Sequence, residues 1–343
     1  MGVPRARGEV SARLLGELTH TAHELPSLPP PAPVDPLTDE DLQLALYVCY
    51  ELHYRGLPGV DERWEWEPSL LRLRAQLEQH FERALLAGVP VPDGRVAAQD
   101  IDLALRSIAE EDGPSLSTYV KRHAGVDEIR EFLVHRSAYQ LKEADPHSWA
   151  IPRLWGAPKA ALVEIQADEY GGGRPERIHA ELFARAMRAL GLDSDYGAYL
   201  DMIPGVTLAT VNLMSLFGLH RRWRGAIVGH LALFEMTSSI PNARYAGGLR
   251  RLGFEAEATL FFEEHVEADA VHENLAAVDL AGGLLRQEPR LCAQLLWGAR
   301  ALSYLDRRWA SHLLSCWTDG RSSLLGVIDT EPPGAAAPVA SVG

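Results

Sequence analysis

The sequence predicts an all-α protein, and three observations lead to this fold class. Apolar residues recur at intervals of three and four in segments such as LQLALYVCYELHY, LLRLRAQLEQHFERALL and AELFARAMRAL, which is the period of an amphipathic helix. No segment alternates apolar and polar residues over the length of a strand, and no hairpin dipeptide separates two β-branched runs. Breaks at GVPVPDG, EDGPS, YGGGRPE, GLDSD and SSIPNARYAGG divide the pattern into roughly ten or more helices.

Composition is typical of a soluble globular protein and argues against several classes of function. Of the 343 residues 47% are hydrophobic and 23% charged, and the net charge is −14, which argues against nucleic acid or an anionic membrane surface as a partner. No window reaches the ~18 consecutive apolar residues of a membrane span, and the N-terminus MGVPRARGEV lacks the apolar run of a signal peptide. The cysteines, Cys49, Cys292 and Cys316, form no CxxC pair, so we expect a cytoplasmic protein.

The chain divides into four predicted segments. Residues 1–37 contain a short amphipathic helix and the proline-rich linker PSLPPPAPVDP, whose prolines exclude regular structure. A helical region over 38–110 precedes a larger helical bundle over 111–325, with a weak boundary near 90–115. Residues 326–343, which end in EPPGAAAPVASVG, are expected to form a disordered tail.

The segment LFFEEHVEADAVHENLA, residues 260–276, carries the most informative pattern. At about 100° per residue, His265, Asp269 and His272 lie within about 60° of one another on one helix face. Helical bundles present metal ligands from such ladders. Imidazole and carboxylate together suit iron or manganese better than calcium, which prefers oxygen ligands alone. An acidic, solvated helix face is the alternative interpretation of these residues.

Two further segments carry candidate ligands. DEYGGGRPERIHAELF contains Glu169, Glu176 and His179, and Glu176 with His179 forms the Glu-x-x-His pairing of diiron bundles. GHLALFEMTSS places Glu235 in an apolar helix, where a carboxylate without a partner is costly to bury. A metal is one such partner, and an arginine is the other. Candidate groups on three separate segments strengthen the metal hypothesis.

These three segments, together with AIPRLWGAPKAALVEIQ, resemble the heme-oxygenase-like diiron oxidases and oxygenases, which are also called iron-containing redox enzymes. The resemblance covers about residues 130–290, and His-x3-Asp-x2-His is its most specific motif. It implies the seven-helix bundle of heme oxygenase over 111–325, without the heme. It also implies two irons that react with O2 through a peroxo-diferric intermediate, and a homodimer supported by the helical region over 38–110.

The resemblance also implies a set of metal ligands. Its members are Glu169, His179, Glu235, His265, Asp269 and His272. Glu169 belongs to the EYG element of the resemblance, whereas the bundle rule alone favours Glu176. A straight helix would separate Glu169 from His179 by about 15 Å, while two irons lie only about 4 Å apart. The chain must therefore break between the two residues, and the glycines at 171–173 allow that break.

Glu143, in YQLKEADPHSWAIP, is a seventh candidate ligand. In the N-oxygenating branch of the family an extra glutamate from this region joins the site, and such a ligand fits enzymes that oxidise amine nitrogen. A helix-surface charge beside Lys142 is the alternative. The resemblance therefore favours N-oxygenation of an amine or guanidine group on an amino-acid-like small molecule, as in natural product biosynthesis.

The same resemblance sets the expected cofactors and partners. Two iron ions, with O2 as co-substrate, would carry the chemistry without heme or flavin, and no flavin or nicotinamide fingerprint is present. Electrons would then come from an external reductant. No cupin-like β pattern follows residue 325, so rearrangement of a hydroxylated product would need another protein. Our guesses for the substrate pocket are Tyr170, Met202, Phe234, Met236, Phe261 and Phe262.

Three rival interpretations stay open. Other members of the same family are oxidases that cleave C–C bonds, as decarboxylases or lyases. A heme-binding oxygenase would need a proximal histidine, for which His20 or His53 could be proposed, although the ladder at 265–272 would then be unexplained. A non-catalytic helical interaction protein would bind no iron. Otherwise His53, His80 and His312 are interpreted as packing or surface residues.

Overall fold

The computed structural model is all-α, which confirms the predicted fold class. It describes residues 3–27, 29, 31–32, 34–111 and 113–328, except the side chains of 268–271, and no β-strand occurs in this part of the chain. The α-helices are α1 (Glu9–Leu18), α2 (Glu40–Glu51), α3 (Pro68–Gly88), α4 (Ile101–Ala109), α5 (Leu116–Arg122), α6 (Val126–Gln140), α7 (Asp145–Ser148), α8 (Gly156–Glu169), α9 (His179–Ala189), α10 (Gly205–Leu219), α11 (Arg224–Arg251), α12 (Ala256–Asn274), α13 (Gly283–Gln287) and α14 (Cys292–Thr318).

Helix α11 is the centre of the bundle and packs against α5, α12 and α14. Its crossing with α14 is close because a glycine on each helix faces the backbone of the other. A Cβ atom at Gly229 would lie 1.9 Å from the carbonyl oxygen of Leu295, and one at Gly298 would lie 2.1 Å from that of Ala226. Any side chain at either position would force the two helices apart, so these glycines set the distance at which they meet.

The N-terminal helices share the core of the bundle. Helix α1 buries Leu14, Leu15 and Leu18 and packs on α2. Helix α2 follows its N-cap residue Asp39, whose carboxylate accepts hydrogen bonds from the first turn, and it packs on α10. Buried apolar side chains form one hydrophobic core, whose members extend in the sequence from Val10 to Leu324. The four segment boundaries and the homodimer stay predictions.

Helix α12 runs directly into a π-helical segment at Leu275–Gly282, which is followed by α13. A π-helix has wider turns than an α-helix and is common at functional sites. This segment packs on α8 and buries Ala276, Ala277 and Leu280. It therefore ties the end of α12 to α8, and these two helices carry candidate ligands.

Three further features bear on the expectations from the sequence. Among the described residues, no helix is both long enough and apolar enough to cross a bilayer. The thiols of Cys49, Cys292 and Cys316 are free and buried. Most of the predicted disordered tail over 326–343 lies outside the described residues, which end at 328.

Candidate metal centre

The chain breaks between Glu169 and His179, as a shared metal site requires. Helix α8 ends at Glu169, and α9 begins at His179. Between them the glycines at 171–173 have φ of +71°, +58° and +80°, a left-handed conformation that suits glycine. As a result Glu169 Oε2 lies 2.9 Å from His179 Nδ1, instead of the length of ten helical residues away.

Two groups of buried side chains bring their ligand atoms together. The first ligand set is Glu143, Glu169, His179 and His265. The second ligand set is Glu169, Glu235 and His272. Within each set the potential ligand atoms all lie within 4.8 Å of one another, and none of the six residues is more than 7% exposed. Six of the seven predicted ligands thus converge.

Glu169 belongs to both ligand sets, which gives the site its geometry. Helix α12 supplies His265 to the first set and His272 to the second. A carboxylate has two oxygens, so Glu169 is able to bridge two ions. The seven-residue spacing between the two histidines places one imidazole in each ligand set. This arrangement matches a two-metal centre, in which ions lie about 3.5–4 Å apart.

The residues fit metal ions because several of their buried polar atoms have no hydrogen-bond partner. Glu143 Oε2 is one such atom. The others are Glu169 Oε2, His179 Nδ1 and His272 Nδ1. Their contacts, between Glu169 Oε2 and His179 Nδ1 at 2.9 Å and between His272 Nδ1 and Glu235 Oε2 at 3.4 Å, are ion pairs without hydrogen-bond geometry. Leaving such atoms unsatisfied in a protein interior is costly unless a ligand completes them. A small cavity of about 10 Å³ lies among Glu143, Glu169, Glu235 and His265. The orphaned atoms and this space together indicate a site built for cations.

The electrostatics of the site also favour cations. Burial would raise the pKa of Glu169, but the neighbouring His179, His265 and His272 lower it to about 2. Burial would likewise lower the pKa of His272, but its contacts with Glu235 and Asp168 raise it to about 9. Glu169 and Glu235 therefore have protonated imidazoles beside them, and metal ions would supply the same positive charge by displacing the protons.

Neighbouring groups orient the histidines. His265 Nδ1 lies 2.8 Å from the carbonyl oxygen of Phe261, which favours its protonation and turns Nε2 towards Glu143 at 3.5 Å. His272 Nε2 lies 2.9 Å from Asp168 Oδ2, while Nδ1 lies 3.4 Å from Glu235 Oε2. Such contacts fix the tautomer and ring orientation of metal-binding histidines. Sequence reasoning missed Asp168, although it directly precedes Glu169.

The turn that carries Glu143 is held from several sides. Ala144 has φ +71°, which is unusual for a residue with a side chain, and its carbonyl oxygen accepts a hydrogen bond of 2.9 Å from Gln166. Lys142, beside the ligand, donates to Glu51 of α2 at 2.8 Å, and both side chains are at most 1% exposed. The sequence alternative of a surface charge beside Lys142 is therefore wrong for Glu143, which is buried.

Other candidate residues lie elsewhere. Glu176 is exposed on a short 3-10 helix, Pro175–Arg177, and belongs to neither ligand set. Asp269 lies within α12, but its side chain is outside the described residues. His20 is exposed, and His53 is buried with contacts to Arg74 and Glu65. Neither histidine belongs to the two ligand sets.

A cavity of about 680 Å³ opens onto the first ligand set at Glu143 and His265. Four of the guessed pocket residues line it: Phe234, Met236, Phe261 and Phe262. The other two guesses, Tyr170 and Met202, do not line this cavity. The Tyr170 hydroxyl donates to Asp145 at 2.9 Å, and Met202 packs near Gly326.

The metal-site geometry agrees with comparisons to known proteins. The model of a family described as iron-containing redox enzymes matches residues 130–307, which include all seven predicted ligands. The chain belongs to this family. It is therefore an iron-dependent oxidoreductase with a heme-oxygenase-like helical bundle, which confirms the resemblance seen in the sequence.

One curated relative is a nitrosourea synthase from Streptomyces achromogenes subsp. streptozoticus. It is 26% identical over 231 residues, which cover 64% of this chain and 49% of the relative. The chain thus spans about half the length of that relative. The relative supports the likeness to the N-oxygenating branch of the family.

Proposed function

We propose that this protein is a non-heme diiron oxygenase that inserts oxygen at the nitrogen of an amine or guanidine group on an amino-acid-like small molecule. The observation that carries the proposal is the sharing of Glu169 between two buried ligand sets. One iron would be held by Glu143, Glu169, His179 and His265, and the other by Glu169, Glu235 and His272. Asp269 is kept as a proposed seventh ligand.

The irons would supply the electrons that activate O2, and they would be reduced again by an external donor. The chain itself encloses the site, because its six described ligands are almost fully buried, which excludes bulk water. The cavity beside Glu143 and His265 admits a substrate to one side of the centre. Its aromatic wall, which includes Phe261 and Phe262, favours the apolar part of such a molecule.

Two observations support nitrogen as the oxidised atom. Glu143 lies in the first ligand set, as expected for the branch of the family that uses an extra glutamate. The name of the curated relative, a nitrosourea synthase, denotes a product with a nitroso group on nitrogen. Oxidative C–C cleavage would use the same ligands, so the substrate must decide between the two reactions.

The proposal is tested by loading the iron-free protein with ferrous iron under anaerobic conditions and mixing it rapidly with oxygenated buffer. We expect close to two irons per chain, and a transient visible absorption band that decays faster in the presence of one amine than of a matched carboxylic acid. Mass spectrometry of the products should then show added oxygen on that amine.

Three results would contradict parts of the proposal. Absence of iron uptake would leave a helical protein with no oxygenase activity. A strong Soret absorption band, at the blue end of the visible spectrum of the purified protein, would indicate heme instead. Loss of carbon from the substrate, without a hydroxylated nitrogen, would replace N-oxygenation by C–C cleavage while leaving the diiron centre in place.

A further inference from the structure

The cavity beside the first ligand set carries charged groups away from the metal. On α6, Phe132, Arg136 and Gln140 follow one another at intervals of four residues and line the cavity, so they share one helix face. Gln140 Nε2 lies 3.3 Å from Glu143 Oε1. This row of side chains therefore leads from the metal ligand outward to Arg136.

Asp306 of α14 lines the same cavity and is half-buried. Among the described residues its carboxylate makes no hydrogen bond and no ion pair. Burial raises its pKa, and the charge of Arg136 lowers it. The carboxylate thus lines the cavity without direct contact to a cation among the described residues, and a cationic group of a ligand is able to supply that contact.

Arg136 is fixed in place by aromatic rings. Its guanidinium lies 4.3 Å from the ring centroid of Trp309 and 6.0 Å from that of Phe132. Its charge acts on Asp306 and lowers the pKa of that carboxylate, but no salt bridge joins the two side chains among the described residues, so both are able to contact a ligand directly. The planar guanidinium presents paired donors that match a carboxylate. One cavity thus contains both Asp306, which is able to bind a cationic group, and Arg136, which is able to donate hydrogen bonds to a carboxylate.

Two arginines of this cavity differ from Asp306 because they form ion pairs within the chain. Arg307 pairs with Glu111 at 3.1 Å, and Arg106 pairs with Glu273 at 2.9 Å. Their charges are already compensated within the chain. Asp306, unlike these two arginines, has no ion pair within the described chain, so its carboxylate is able to bind a ligand.

We propose that Asp306 and Arg136 bind the ammonium and carboxylate groups of an α-amino acid, whose side-chain nitrogen then points towards Glu143 and His265. The inference deepens the proposed function and rests on it for the reaction, though not for the binding itself. From Arg136 to Gln140 the helix rises about 6 Å. This distance suits the side chains of lysine or arginine and exceeds those of alanine or serine.

Binding of defined probes to the full chain tests the proposal by isothermal titration calorimetry. The probes are L-lysine, L-arginine, 6-aminohexanoate, which lacks the α-ammonium group, and cadaverine, which lacks the carboxylate. We expect Asp306→Asn to weaken L-lysine and L-arginine at least tenfold and to leave 6-aminohexanoate unchanged. We expect Arg136→Gln to weaken L-lysine and 6-aminohexanoate and to leave cadaverine unchanged.

Two controls keep the test specific. Glu110→Gln removes one negative charge from an exposed position that lines the same cavity, and it should leave all affinities unchanged. Thermal melting of each variant shows whether it is folded, and Arg136→Lys keeps the charge if Arg136→Gln is unstable. With Arg136→Lys, we expect weaker L-lysine binding because one ammonium cannot make the paired contact.

The pattern across the probes decides the outcome. If Asp306→Asn weakens all probes equally, or if the wild-type protein binds neither amino acid at millimolar concentration, the inference is wrong. The iron content of the same wild-type protein is measured separately. Two irons without amino-acid binding would refute the inference and leave the proposed function standing, whereas selective binding without iron uptake would support the inference and refute the diiron centre.

Discussion

Two buried charged clusters lie next to each other in this protein, and they differ in how their charges are balanced. In one, Lys142 pairs with Glu51 at 2.8 Å, and the hydroxyl of Tyr196 donates to the same carboxylate at 2.7 Å. In the other, three glutamates and three histidines meet, and the ion pairs described within this group join a glutamate to a histidine. The first cluster is neutral by itself, and the second needs cations from outside the chain.

This difference distinguishes buried charges that stabilise the fold from buried charges that are arranged to bind a ligand. The ammonium of Lys142 also lies 4.8 Å and 4.4 Å from the ring centroids of Tyr47 and Tyr54, so the chain surrounds it completely. Such a pair stabilises a structure only while both partners are present. The ligand cluster has the opposite character, because its own residues leave it incomplete. The convergence of buried carboxylates and imidazoles therefore marks the candidate metal centre.

The largest effect is expected at Glu169, the residue shared by both ligand sets. Glu169→Ala should remove a ligand from each iron position, so iron uptake should fall to near zero and turnover by at least about a hundredfold, beyond the usual effect of losing an outer contact. Iron is counted by a colorimetric chelator after gel filtration. The control is Glu176→Gln, on an exposed residue of the neighbouring loop, which should bind iron as the wild type does; equal losses in both variants would contradict the shared role of Glu169.

His265 and His272 should each affect one iron position. We expect His265→Ala and His272→Ala each to lower the iron content from about two to about one per chain, because the residues belong to different ligand sets. Mössbauer spectra of the two variants should then show different single sites. If either variant lost both irons as Glu169→Ala does, the two sets would not be separable.

The neutral cluster should respond in stability instead of in iron binding. Lys142→Met leaves Glu51 buried without its partner, which costs about 3–5 kcal/mol of the free energy of unfolding. The double variant Lys142→Met with Glu51→Leu should regain most of that loss, since no buried charge is left. Chemical unfolding of the iron-free proteins measures both values. A double variant less stable than the single one would show that the pair itself stabilises the fold.

The smallest effect concerns His135, a buried histidine whose contacts come from the chain alone. Its Nδ1 lies 2.7 Å from the hydroxyl of Thr207, and Nε2 lies 3.0 Å from that of Ser323. Burial holds its pKa well below the ordinary value. The unfolded chain therefore takes up this proton first as pH falls below about 6.5, and stability is full above that pH and decreases below it.

The measurable quantity is the slope of unfolding free energy against pH between 5 and 7. One such histidine contributes up to about 1.4 kcal/mol per pH unit. His135→Asn should reduce the slope by up to this amount, with other titrating groups unchanged. An unaltered slope would mean that His135 has the same proton affinity in the folded and unfolded chain.

The local features of the site follow from the sequence. The helical spacing of His265 and His272 predicts that they share one face, and the structure places both in the ligand cluster. The geometric need for a break after Glu169 points to the glycines at 171–173, and the structure shows left-handed backbone there. Glu143 was indicated by the family resemblance and not by its spacing.

Contacts between distant segments could not be predicted from the sequence. Lys142 and Glu51 are 91 residues apart in the sequence. The helical periodicity of either segment does not predict that α2 packs beside the turn that carries Glu143. Asp306 and Arg136 look like ordinary charges on two amphipathic helices, and only the packing of α6 against the cavity shows their setting. Helical periodicity reports which face a residue occupies, whereas the partner of that face depends on tertiary packing.

The central claim is that Glu169 stands between two iron ions. Crystals of the protein loaded anaerobically with ferrous iron, measured at the iron absorption edge, test this most directly by anomalous scattering. We predict two peaks about 3.5–4 Å apart, one beside His179 and His265 and the other beside Glu235 and His272, with the Glu169 carboxylate between them. A single peak, or none among these side chains, would contradict the diiron centre.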